Sequence, residues 1–204
     1  MTTTDLLDQR FDEHAATARD TLAALREPFA DLLAACAKAI RAGGKILLFG
    51  NGGSAADAQH LATELVVRYK KNRPTIAAIA LTTDTSLLTA AANDLGYDTI
   101  FSRQIEALAK VEDVVIGIST SGNSENVVRA FTEARRLGVA TVAFTGQGGG
   151  KLAAMTDVLI AVPSSETARI QEMHILLGHV LCEALEIELG LMPDQDPNHD
   201  SNQK

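Results

Sequence analysis

Apolar residues recur at three- and four-residue steps from Thr4 to about Leu25, at Leu6, Leu7, Phe11, Ala15, Ala18, Leu22 and Leu25, the spacing of one helix face. A second helix is predicted from Pro28 to Ala42, opened by the proline and closed by Gly43-Gly44. The pattern then changes. Lys45-Ile46-Leu47-Leu48-Phe49 is apolar, too short for a helix and stopped by Gly50, so it reads as a buried strand. Further strands are predicted at about 76–80, 114–118, 139–144 and 158–162, separated by helical stretches at about 54–69, 85–94, 98–109, 124–137 and 166–189. Strands that are apolar throughout and alternate with helices imply a five-stranded parallel sheet covered on both faces. The expected fold is a doubly wound three-layer α/β/α sandwich with an N-terminal helical extension. Two seats are open to that first helix, a partner subunit and the chain's own sheet.

The chain has 204 residues, 46% of them apolar, enough to bury the core of one domain. No Pro-rich linker or internal repeat interrupts it before Leu191, so we draw helices over 1–42, the sandwich over 43–190 and a polar tail over 191–204. With 26 acidic against 18 basic residues and a net charge of −8, there is no cationic excess to neutralise nucleic-acid phosphates or an anionic membrane. No apolar run reaches the length of a membrane span, and the acidic, polar N-terminus has no signal-peptide pattern, so a cytoplasmic location is expected. Cys36 and Cys182 lie singly in apolar helices and are read as reduced core residues.

Ligands of open parallel sheets bind beyond the carboxyl ends of the strands. Two loops there are unusual. Gly50-Asn51-Gly52-Gly53-Ser54-Ala55 follows the first strand and formally fits a dinucleotide fingerprint, yet the ribose-binding acid expected about 20 residues later falls near Lys70 and Lys71. A tight turn with no ligand also fits. Ser119-Thr120-Ser121-Gly122-Asn123-Ser124 follows the third strand and sets four hydroxyls before a helix start, where free N–H groups and the helix dipole favour a phosphate. Capping alone accounts for one or two of those hydroxyls. Gly146 to Lys151 is not a P-loop, because Leu152 stands where a magnesium-binding Ser or Thr is required.

His60 and Glu64 lie one helical turn apart on one face, fit to share a metal or to move protons, or simply to meet solvent. The last helix carries Arg169, Gln171, Glu172, His174 and His179 among apolar residues, where a core histidine is the default for any one of them. Gln171 and His179 are separated by about 12 Å of helix rise. Both reach one zinc at about 2.1 Å only if the helix is interrupted or a neighbouring subunit supplies one of them.

The combination of Asn51-Gly52-Gly53-Ser54, His60, Glu64, Arg68-Tyr69, Asn72-Arg73-Pro74, Asn93-Asp94, Ile100 to Gln104, Ser119 to Ser124 and Arg169-Ile170-Gln171-Glu172-x-His174 resembles the phosphoheptose isomerase family of the sugar-isomerase (SIS) domain superfamily. The likeness runs over about residues 40–190. It departs at Ala168, where some members carry an acid. The resemblance implies isomerisation of sedoheptulose 7-phosphate to D-glycero-D-manno-heptose 7-phosphate, the first step of ADP- or GDP-heptose biosynthesis, in a homotetramer with active sites at subunit interfaces. It implies that Ser119, Thr120, Ser121 and Ser124 hold the phosphate, and that Asn51, Gly52, Gly53, Ser54, Glu64, Asn93, Asp94 and Gln171 line the rest of the pocket. By the same resemblance His60, Glu64, Gln171 and His179 match the ligands of one Zn2+ per active site, and Glu64 and His179 act as base and acid. A carboxylate on zinc is not at the same moment free as a base. The rival class is a non-catalytic tetrameric SIS protein of the kind that associates with a replication initiator; the presence of both Glu64 and His179 favours the enzyme.

Overall fold

The computed structural model describes residues 2–191. Helix α1 (Thr3–Arg41) leads into strand β1 (Ile46–Gly50) and α2 (Gly53–Val66), then β2 (Ala78–Ala80), α3 (Thr85–Asp94), a 3-10 turn (Tyr97–Thr99) and α4 (Ser102–Leu108). The second half runs β3 (Val114–Ile118), α5 (Glu125–Arg136), β4 (Ala140–Thr145), a 3-10 turn (Gly150–Ala154), β5 (Val158–Ala161) and α6 (Thr167–Glu188). The strands form one parallel sheet in the order β2-β1-β3-β4-β5, the expected sandwich. Successive residues of a strand face opposite sides. Ile46, Leu48, Val114 and Ile116 therefore pack with α1, α2 and α6, whereas Leu47, Phe49 and Val115 pack with α3, α4 and α5. Two covered faces explain why the strands read as unbroken apolar runs. The strand order reverses at β1 and β3, so the loops after these two strands flank the crevice where such sheets bind ligands.

Four boundaries differ from the sequence expectation, one of them because the helix expected over 98–109 divides into the 3-10 turn and α4. The two N-terminal helices are one: α1 runs 39 residues, about 58 Å, straight through Pro28. Pro28 lacks the N–H that would bond the carbonyl of Ala24, but Ala24 is exposed, so water can take that carbonyl. Helix α2 stops at Val66 instead of Tyr69, and β2 begins at Ala78 instead of Ile76. Both changes have one origin. Arg73 donates to the last α2 carbonyls, Nη1 to Leu65 at 2.7 Å and Nη2 to Glu64 at 2.8 Å, and the Ile76 N–H also turns back to Leu65. The polar tail expected from 191 lies outside the described residues beyond Leu191.

The question of where α1 sits has a divided answer. Its second half buries Leu25, Leu32, Cys36, Ala37 and Ala39 against the chain's own sheet and α6. Its first half has no buried residue before Thr21, and Phe11 is 69% exposed with Leu7 and Leu22 open beside it. Polar contacts hold this half to α6: His14 Nδ1 meets Glu172 Oε2 at 2.7 Å, and Arg169 donates to the Arg10 carbonyl at 2.9 Å. Among the described residues no helix is long and apolar enough to cross a membrane.

Candidate active site

The loop after β1 turns at Gly52, whose φ of +56° is in the left-handed region that favours glycine. Gly53 opens α2 beneath Gln171 of α6, so close that a Cβ on Gly53 would stand 3.0 Å from Gln171 Nε2. That contact brings one predicted pocket residue from the last helix to the first loop. Ser54 is buried beside them.

The loop after β3 is shaped by glycine in the same way. Gly122 has φ +64°, and a Cβ there would overlap the Gly149 carbonyl oxygen; a Cβ on Gly150 would overlap the Ser121 carbonyl. The glycine run that invited comparison with a P-loop is thus the seat of the hydroxyl loop, fastened to it by Lys151 N–H donating to Asn123 Oδ1 at 3.0 Å and Leu152 N–H donating to the Gly122 carbonyl. Ser124 does not cap α5; its hydroxyl meets that of Ser119 at 3.1 Å. Among the described residues the N–H groups of Ser124, Glu125 and Asn126 have no hydrogen-bond partner, and together with the dipole of a 12-residue helix they form an anion seat.

Helix α2 and α6 run side by side in the same direction. Gly178 lets them close, its position filled by Leu61. Their facing edges join His60 and His179, Nε2 to Nε2 at 2.8 Å, and Glu64 Oε1 lies 3.5 Å from the His60 nitrogen. Tyr69 leaves the helix end and stacks on His179, ring centroids 5.5 Å apart. Asp57, one turn before His60, also faces this group; burial holds its carboxyl above the usual range, opposed by the two imidazoles. Asp57 was legible as the i−3 neighbour of His60 and was missed.

The zinc site implied by the resemblance does not fit, and that expectation is corrected. Among the described residues no three His, Cys, Asp or Glu side chains form a group that could hold a metal ion. Two nitrogens each about 2.1 Å from a tetrahedral zinc stand roughly 3.4 Å apart. His60 and His179 are nearer than that, in direct hydrogen-bond contact. Gln171 lies against Gly53, and α6 is unbroken between it and His179, so the helix rise keeps the two from one centre. Asn93 and Asp94, at the end of α3, are exposed and bond each other at 2.7 Å.

His174 is the core histidine. It is buried behind β4, its Nε2 donates to the Thr145 carbonyl at 3.0 Å, and its Nδ1 has no partner. Burial pulls its pKa down to about 4. The unfolded chain takes up a proton near pH 6.5 that the folded one refuses, so stability falls as pH drops from about 6.5 to 4, by as much as about 3 kcal/mol. Chemical denaturation of wild type and His174→Gln should show the stability gap between them shrinking over that window; a gap independent of pH would contradict the assignment.

A cleft of about 510 Å³ at the opposite edge of the sheet includes Lys38, Glu112, Asp113, Arg135 and Asp157. Its carboxylates Asp113 and Asp157 are already bonded to Lys45 and Thr141. The carboxyl-edge loops and the α2–α6 seam are the candidate site.

The SIS domain pattern matches residues 10–146. The phosphoheptose isomerase of Paramagnetospirillum magneticum is 61% identical over 180 residues, 88% of this chain and 94% of that protein. The chain belongs to the phosphoheptose isomerase family. A solved phosphoheptose isomerase, GmhA from Neisseria gonorrhoeae, superposes with a TM-score of 0.87 at 44% identity, covering 91% of this chain and all of that one. The phosphoheptose isomerase from Francisella tularensis gives 0.89 at 37% identity over 92% of this chain and all of its own.

Proposed function

We propose that the protein interconverts sedoheptulose 7-phosphate and D-glycero-D-manno-heptose 7-phosphate. The observation that carries this reading is the convergence of Glu64, His60 and His179 on the α2–α6 seam, in a chain of the phosphoheptose isomerase family. The reaction removes a proton from C1 while the C2 carbonyl oxygen gains one, giving an enediol. Returning a proton to C2 and releasing the O1 proton leaves the aldehyde at C1, with no net oxidation. Such a path needs a base, an acid and donors for the developing oxyanion. Glu64 serves as base and His179 as acid in this proposal, with His60 bridging them and Tyr69 supporting the His179 ring.

Ser119, Thr120, Ser121 and Ser124 hold the phosphate with the free N–H groups of the α5 start. Asn51, Gly52, Gly53, Ser54, Asn93, Asp94 and Gln171 surround the sugar. A homotetramer with sites at subunit interfaces is supported by the uncovered apolar residues of α1, Leu7, Phe11 and Leu22, together with Leu176 and Val180 of α6. Burying such side chains stabilises an interface by about 25 cal/mol per Å² of apolar surface.

The direct test is incubation with sedoheptulose 7-phosphate, following the anomeric region by NMR. Appearance of an aldose phosphate supports the reading; an unchanged ketose spectrum with the sugar bound makes the protein a sugar-phosphate holder. Ser121→Ala separates binding from chemistry. Ser121 is exposed and its hydroxyl accepts only a local N–H from Asn123, so its loss should leave the fold intact and weaken phosphate affinity by about 10-fold, read by calorimetric titration.

A further inference from the structure

Asn126 is 3% exposed in the first turn of α5. Its Oδ1 accepts the Val127 backbone N–H at 2.9 Å, and because a backbone N–H can only donate, this contact settles which end of the carboxamide is oxygen. The remaining assignments follow. Asn126 Nδ2 donates to Asn51 Oδ1 at 2.8 Å, and Asn51 Nδ2 donates back to Asn126 Oδ1 at 2.9 Å. The Tyr97 hydroxyl donates to the same Asn51 Oδ1 at 3.0 Å. A carboxamide oxygen has two lone pairs, both used here, and its nitrogen has two hydrogens, of which Asn126 takes one. Asn51 is left with one N–H to give and no acceptor.

We propose that Asn126 and Tyr97 are positioning residues that lock Asn51 as an obligate hydrogen-bond donor to an oxygen of the bound sugar. This rests on the isomerase reading, in which Asn51 lines the substrate pocket. A carboxamide free to turn would present its own oxygen to the substrate oxygen that gains charge along the path, a repulsive pairing; the lock removes that alternative. It also joins three segments of the site. Asn51 follows β1, Asn126 begins the helix of the anion seat, and Tyr97 follows the Asn93-Asp94 pair on a turn that Asp98 ties to Arg129 of α5 at 3.3 Å. Folding alone gives Tyr97 little reason for this contact, since the residue is 58% exposed.

The experiment is a double-mutant cycle between Tyr97→Phe and Asn51→Ala, read in steady-state conversion of the ketose phosphate. Tyr97→Phe should lower kcat by about 10-fold, with KM and the thermal midpoint nearly unchanged, as expected for a donor that matters most to developing charge. In the Asn51→Ala background the same change should have no further effect. Asn126→Asp, which keeps the Val127 contact but cannot donate to Asn51, should lower kcat by about 10-fold or more. The 15N side-chain amide signal of Asn51 should move in Tyr97→Phe without loss of other cross-peaks. Equal effects of Tyr97→Phe in both backgrounds overturn the lock. If wild type converts the sugar and Asn51→Ala converts it equally well, the proposal falls while the isomerase reading stands; if wild type converts nothing, both fall.

Discussion

Glu64→Gln is expected to lower turnover of the ketose phosphate by about 10²-fold or more, the usual scale for a general acid–base group. The substitution keeps the shape and most of the packing of a side chain that is one-fifth exposed and removes only its capacity to take a proton. Phosphate affinity should be retained, because the hydroxyl loop and the start of α5 make no hydrogen bond to Glu64. His179→Ala should produce a loss of similar size, and it additionally strips the contact that His60 and Tyr69 make with the imidazole. Progress curves with purified variants measure both. Near-normal turnover in either variant removes that residue from the chemistry and leaves the bridging His60 to be tested as its replacement.

Arg73→Met should be the most destabilising of the substitutions considered. Arg73 and Glu186 are both 0% exposed, joined at 2.8 Å. The guanidinium also satisfies the carbonyls of Glu64, Leu65 and Pro74. Removing it strands a buried carboxylate whose second oxygen already lacks a partner, and breaking such a pair costs about 3–5 kcal/mol. For a chain of this length that corresponds to a fall in the unfolding temperature of roughly 10 °C. Replacing both partners, Arg73→Met with Glu186→Leu, should recover much of the stability, since no unpaired charge remains. Turnover should not recover with it. Arg73 closes the end of α2 one turn beyond His60, and Glu186 accepts the N–H of Tyr69, the residue that stacks on His179. Calorimetry and activity measured on wild type and these two variants separate the two effects.

The parts of this fold that local patterning specifies were legible in the sequence. Strands β1 and β3 sit between two helical layers, so their apolar runs are uninterrupted and their lengths are set by the glycines and polar residues that end them. The errors fall where a distant residue decides. Pro28 signals a helix start, but the lost hydrogen bond belongs to an exposed residue and α6 supports the helix on the far side. The end of α2 is capped by Arg73, nine residues past Glu64, and the Ile76 N–H turns back to the same helix end. Hydrophobic periodicity does not register that contact, because it is made by a side-chain guanidinium to backbone carbonyls.

The site divides in the same way. The hydroxyl loop and the His60–Glu64 pair announce themselves by spacing, and the 12 Å between Gln171 and His179 argues from sequence alone against a shared centre within one chain. The structure keeps them apart, with Gln171 at the head of α2 and His179 a further two turns down. The zinc quartet came from family likeness, and the direct contact between the two imidazoles overturns it. Asn126 and Tyr97 carry no motif. Each acts only through Asn51, from 75 and 46 positions away along the chain.

The interlock of Gly122, Gly149 and Gly150 inverts the usual mutational sensitivity of a binding loop. In the proposed cradle the hydroxyls share one anion among several donors, so exchanging any one of them is expected to be a graded loss. A single methyl group at any of the three glycines instead meets packed atoms with nowhere to retreat, and the whole cradle must shift. A saturation scan of the two loops should therefore find sharp intolerance at Gly122, Gly149 and Gly150, which have no side chain to offer the ligand.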